Sequence, residues 1–191
     1  MNARKAIIPI FTAGIFIFIV FAQLIRTPKP VWASVITNQK DQKSETKIEH
    51  QLSLSSSFPV EIQQWRSEIE MAANENNLDP NLIAAIILQE SNGDSQAYSS
   101  SGAVGLMQVM PHNGIASNFL CDNHPCFQDR PSITELYDPT FNINYGSRML
   151  AGLINKFDNI RKALKAYGPM DIGYQYADIV LGIFQEFNKP E

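Results

Sequence analysis

From residue 59 to its end the sequence predicts an all-α domain, and three observations predict it. Apolar residues recur at three- and four-residue spacing in one run after another. Two Asp-Pro pairs, Asp79-Pro80 and Asp138-Pro139, stand at the head of such runs. There aspartate caps free N–H groups, and proline fits the first helical turn because its missing donor costs nothing. No stretch alternates apolar and polar residues convincingly enough to read as a strand.

The elements follow in order. Ile62, Trp65, Ile69 and Ala72 share one helical face, which predicts an amphipathic helix over Val60–Asn77. After the Asn77–Pro80 break, "PNLIAAIILQES" is apolar on nearly every side, as a helix enclosed by its domain must be. The helix after Asp138-Pro139 carries Ile143, Gly146, Leu150, Leu153 and Phe157 on one stripe. A short helix over "NIRKALKAY" ends at Gly168, a residue type that commonly closes helices. The last, "YQYADIVLGIFQEF", is predicted to turn Tyr176, Ile179, Val180, Ile183 and Phe187 inward.

The N-terminus has another character. Arg4 and Lys5 precede an uncharged apolar run over 6–25, about twenty residues and long enough to span a bilayer. It exceeds the usual signal-peptide core of roughly 7–15 residues. Yet Val31 and Ala33 supply the small residues of a cleavage site before Ser34. Residues 1–33 therefore read equally as a cleaved signal peptide or a retained membrane anchor. In both cases the basic end stays inside and the remainder is extracytoplasmic, in a periplasm or cell envelope. Residues 34–58 are rich in Ser, Gln and Lys and poor in large apolar residues, so they read as a flexible, disordered linker. The catalytic or binding domain is then 59–191.

Composition narrows the function. With 45% hydrophobic residues among 191, the chain can build an ordinary core. A net charge of −4 and scattered Lys and Arg argue against nucleic-acid binding. His50, His112 and His124 stand isolated, and no spacing fits a metal site. Cys121 and Cys126 bracket one short loop, and outside the cytoplasm such a pair defaults to a disulfide.

Glu90 is the residue that asks for an explanation. It lies at i+4 from Ile86 and i+3 from Ile87, so its carboxyl leaves an apolar helix face near the helix end. A carboxyl set against hydrocarbon resists ionising, its pKa rises above the free-glutamate value, and it keeps a proton to give. Asp94 could be offered as a second carboxylate, but its place in "SNGDS" reads as a turn residue.

Taken together, Glu90-Ser91, "SSGAVGLMQVMP", "LYDPTFNINYGSRML" and "ALKAYG" resemble the soluble lytic transglycosylase family, over about 60–187. The resemblance implies a lysozyme-like, all-helical catalytic domain acting on peptidoglycan glycan strands, with no cofactor. It implies that Glu90 is the single catalytic acid/base and that the Ser91 hydroxyl assists near the reacting sugar. Gly105, Leu106, Met107 and Gln108 match the signature lining the cleft, where Gln108 would hydrogen-bond substrate. Tyr167 matches the tyrosine of an alanine-tyrosine-asparagine motif, and Tyr176 resembles a later tyrosine that contacts the catalytic carboxyl. Met107, Tyr167 and Tyr176 also read as ordinary packing residues. Two departures stand out: Gly168 replaces the family's asparagine, and "CDNHPC" is inserted.

Three functions follow as expectations. Glycosidases normally need two carboxylates, and one is found here. That fits a lytic transglycosylase, which cleaves the MurNAc-β-1,4-GlcNAc bond and leaves 1,6-anhydro-MurNAc ends. A goose-type muramidase, which hydrolyses the same bond, shares the fold. A wall-binding or assembly module with weak catalysis is the non-enzymatic alternative, favoured by Gly168. A monomer is expected, with membrane anchoring through residues 6–25.

Overall fold

The computed structural model describes residues 53–188. The expected signal or anchor over 1–33, and the linker as far as residue 52, lie outside them. Among the described residues seven α-helices follow one another: α1 (Val60–Gln63), α2 (Arg66–Asn76), α3 (Pro80–Ser91), α4 (Ile133–Leu136), α5 (Pro139–Phe157), α6 (Ile160–Tyr167) and α7 (Gln175–Phe187). The all-α expectation holds. The Asp-Pro caps form as expected: Asp79 accepts the Asn81 N–H and Asp138 the Phe141 N–H. Asn77, Asn92 and Asp158 close α2, α3 and α5 in the left-handed conformation, which asparagine and aspartate tolerate better than most residues.

Helix α3 is the axis of the core. Ile83, Ala84, Ala85, Ile86 and Ile87 are all fully buried, which explains why its sequence shows no polar face. Helix α7 packs along it, while α5 packs on α2 and α6.

The helical domain begins before residue 59, where the expected boundary stood. Leu54 and Phe58 lie in the core, and the Phe58 ring stacks on Phe187 with centroids 4.5 Å apart. The Leu54 N–H donates to Glu70 (3.0 Å), Arg66 donates to the Leu54 carbonyl (2.7 Å), and the Ser55 N–H donates to Asn81 (2.8 Å). Two apolar residues in a Ser-rich run give no periodic signal, so in sequence this docked segment reads as part of the expected linker.

The single helix expected over Val60–Asn77 is two helices. Trp65 leaves helical geometry (φ −101°, ψ 13°), and its N–H bonds Ile62 O, tightening the turn. Its indole N–H donates to Gly93 O (2.9 Å), so the break anchors this corner on the loop after α3. On α7, Ile179 is 40% exposed and Ala177 takes the inward position beside Tyr176 and Val180. On α5, Leu153 and Phe157 are half-buried, while Ile143, Gly146 and Leu150 are buried as expected.

A small hairpin, β1 (Leu120–Cys121) and β2 (His124–Pro125), was not legible as strand. Its two-residue loop, Asp122-Asn123, has positive φ at both positions, the geometry of a tight hairpin turn. The Cys121–Cys126 disulfide forms across it.

Candidate active site

Helix α3 delivers Glu90 half-buried at its last turn, beyond the fully buried Ile86 and Ile87. Helix α7 brings Tyr176 alongside, and the phenol donates to Glu90 Oε1 at 2.6 Å. Desolvation pushes the Glu90 carboxyl up from 4.5 to about 7; the Tyr176 hydrogen bond, which favours the charged form, offsets only part of this. Burial, with the nearby Glu90 charge, pushes the Tyr167 and Tyr176 hydroxyls up as well, so both remain donors.

The tyrosines form a relay of contacts. Tyr176 stacks on Tyr167 (centroids 6.4 Å, planes 16° apart), and the Tyr167 hydroxyl donates to Met107 O at 3.0 Å. Met107 belongs to Gly105–Gln108, a four-residue turn between Val104 and Val109, whose backbones exchange both hydrogen bonds. Gly105 sits at φ +75°, and a Cβ there would lie 2.4 Å from Asn142 Nδ2; only glycine fits. The Leu106 and Met107 side chains are fully buried, and Met107 packs against Gly146 and Ser147. The side chain of Met107 is thus core filler, and its carbonyl is the part that faces Tyr167.

Ser91 and Gln108 are also engaged within the site. The Ser91 hydroxyl donates to Leu106 O (2.9 Å) and approaches Ile87 O (3.2 Å), tying the end of α3 to the turn. Gln108 holds φ +45°, and its amide nitrogen bonds Gly105 O (3.0 Å) and Ala97 O (3.3 Å). Asp94 is exposed and accepts the Gln96 N–H, as a turn residue does. Cys121 and Cys126 belong to the hairpin rather than to the Glu90 constellation.

One residue essential to this geometry escaped the sequence reading. Asn142 is fully buried on α5; its Oδ1 accepts the Met107 N–H (2.9 Å), and its Nδ2 donates to Val104 O (2.9 Å) and Leu136 O (2.8 Å). Its signal was a polar residue inside an apolar helical stripe, next to Ile143.

Gly168 acquires a reason. It ends α6 in extended geometry (φ −75°, ψ −176°), so no left-handed turn requires glycine. A Cβ here would lie 2.4 Å from the Tyr176 ring carbons. The Tyr176 ring occupies the space a side chain would need.

Comparison with known proteins bears on this arrangement. The transglycosylase SLT domain family matches residues 67–171. The chain is 31% identical over 152 residues to membrane-bound lytic murein transglycosylase E of Buchnera aphidicola subsp. Acyrthosiphon pisum, covering 80% of this chain and 60% of that protein. It is 34% identical over 104 residues to the transglycosylase of Enterobacteria phage PRD1, covering 54% of this chain and 34% of that one. Lytic transglycosylase Slt from Pseudomonas aeruginosa, a solved structure, aligns with a TM-score of 0.49 at 25% identity, over 66% of this chain and 25% of that one. The chain thus spans 60% or less of the length of these relatives. The family match covers more than half the chain, including Glu90, the Gly105–Gln108 turn, Asn142 and Tyr167. The chain belongs to the transglycosylase SLT domain family.

Proposed function

We propose that this chain is a peptidoglycan lytic transglycosylase cleaving the MurNAc-β-1,4-GlcNAc bond. The observation that carries the reading is Glu90: a carboxyl desolvated to a pKa of about 7, held by one phenol. Among the described residues no second carboxylate bonds or pairs with it. A group poised near neutrality can both donate and accept a proton. Protonated Glu90 gives its proton to the bridging oxygen as the bond from C1 of MurNAc breaks. The 6-hydroxyl of the same MurNAc then attacks C1, and its proton returns to Glu90. The ring closes as a 1,6-anhydro sugar, no water is consumed, and the carboxyl ends as it began.

In this reading Tyr176 orients Glu90, and Tyr167 braces Tyr176. Ser91, Gly105 and the Met107 backbone hold the turn behind Tyr167, and the Gln108 Oε1 and the Ser91 oxygen are the groups offered to the sugar. The relatives named as membrane-bound support an envelope location for this chain.

The pH dependence tests the acid role. Free enzyme must hold the Glu90 proton to begin, so kcat/KM for wall clearing should be flat below about pH 7 and fall above it. Tyr176→Phe removes the bond that favours the charged form, so the descending limb should move to higher pH. The same shift predicts a stability effect. Between pH 4.5 and about 7 the folded chain keeps a proton that the unfolded chain has lost, so this group's contribution is complete below pH 4.5 and disappears as pH rises through 7. Glu90→Gln, which has no charge to bury, should then be more stable than wild type at pH 8 by at most roughly 3 kcal/mol and little different at pH 4. A pH-independent stability difference would contradict the buried-carboxyl account.

Gly168 supplies an independent check on Tyr176. Gly168→Ala should push the Tyr176 ring off its seat, cost about 1–3 kcal/mol in stability as overpacking does, and lower wall turnover. Gly152→Ala meets nothing within 4 Å and serves as the control. Unchanged turnover in Gly168→Ala would mean that the Tyr176 position does not matter to the chemistry.

A further inference from the structure

The inserted disulfide hairpin has no part in the chemistry above, yet it braces one cation beside the site. The Cys126 N–H bonds Phe119 O (2.9 Å), the rings of Phe119 and Phe127 meet edge to face, and the Arg130 N–H bonds Phe127 O (2.9 Å). On its other side the Arg130 carbonyl meets His112 Nδ1 (2.7 Å), and the His112 N–H donates to Pro131 O (3.0 Å). The guanidinium lies 5.8 Å from the Phe127 ring centroid and contacts Met149 Sδ at 2.7 Å.

That environment is unusual for a guanidinium. A thioether is a weak acceptor and the ring accepts no conventional hydrogen bond. Among the described residues the ion pairs are Arg66–Glu70 and Arg161–Asp178, and Arg130 makes none, although Asp129 and Glu135 are close in sequence. Glu135 is committed to the cap of α4 through Ser132. Arg148, which also lies over a ring, is exposed and keeps its water; Arg130 is half-buried and loses part of it. Arg130 also lies close to the Gly105–Gln108 turn: Met149, which it contacts, is three residues along α5 from Gly146, and Gly146 packs on Met107, whose carbonyl holds Tyr167.

We propose that Arg130 is a substrate-binding residue that receives a carboxylate of the peptide stem carried by the glycan strand in this cleft. The proposal rests on the peptidoglycan reading above. A planar guanidinium fork matches a carboxylate in two parallel hydrogen bonds, which neither Met149 nor Phe127 can offer. Stem peptides hang from each substituted muramic acid and carry free carboxylates, so such a group travels with the scissile bond. The hairpin is then the brace that keeps Arg130 aimed before substrate arrives.

The test compares soluble glycan fragments that carry tetrapeptide stems with the same fragments stripped by an amidase, which leaves only lactyl carboxylates. Binding is measured in the Glu90→Gln background of the full chain, with Arg130→Met and Arg130→Lys beside it, and thermal melts confirm folding. Arg130→Met should weaken binding of the stem-bearing fragment at least about tenfold, the loss of a charge-assisted pair. It should change the stripped fragment less than twofold, and Arg130→Lys should fall between. No loss on the stem-bearing fragment overturns the proposal. Equal loss on both fragments does so too, assigning Arg130 to the lactyl group or to packing. Cleavage by wild type, assayed alongside, reports separately on the transglycosylase reading: its absence sinks that reading, while the binding ratio still decides the role of Arg130.

Discussion

Glu90→Gln is expected to lower wall turnover at least about 10²-fold while leaving wall binding intact. The amide preserves the volume, and its oxygen can still accept from Tyr176, so the bond now 2.6 Å long keeps its partner. What the variant loses is an exchangeable proton. Positioned proton transfer alone contributes typically 10²–10⁴-fold, and in the proposed mechanism one carboxyl serves as acid in one step and base in the next. Both steps therefore fail together. Pull-down on insoluble walls, beside turbidity clearing by the same preparations, separates binding from turnover. Loss of binding in parallel with turnover would instead point to a collapsed cleft.

Asn142→Ala should be the most disruptive single change away from Glu90. The Met107 N–H and the Leu136 carbonyl each find their partner in this side chain, and the site is fully buried. Val104 O retains the Val109 N–H. Two orphaned buried groups at about 1–3 kcal/mol each suggest a loss near 3 kcal/mol. Turnover should fall too, because Met107 O holds Tyr167, Tyr167 stacks on Tyr176, and Tyr176 holds Glu90. Asn142→Asp should be worse at neutral pH, since it sets a charge against two carbonyl oxygens and removes the donor. Denaturant unfolding measures both; a loss below about 1 kcal/mol for Asn142→Ala would mean that water replaces the lost partners.

Much of this is legible in the sequence alone. The position of Glu90 on an all-apolar helix announced a desolvated carboxyl, because burial follows from the Ile86–Ile87 face alone. Both Asp-Pro caps were readable for the same reason: capping is local chemistry. The missed features depend on distant partners. Nothing around Trp65 says that its indole will bond Gly93 and break the helix. Leu54 and Phe58 look like linker until Phe187 supplies a ring to stack on. Asn142 resembles a flaw in a stripe until three backbone groups from the turn and from α4 are seen to need it. Gly168 reads in sequence as a departure from the family's asparagine, and in the structure it is the space for the Tyr176 ring.

Mass spectrometry of the products released from purified peptidoglycan tests the central claim most directly. A single carboxyl returning its proton through the 6-hydroxyl predicts anhydro-muropeptides, each lighter by one water than its hydrolytic counterpart, from wild type and none above background from Glu90→Gln. Reducing muropeptides alone would contradict the account and assign the chain to hydrolysis.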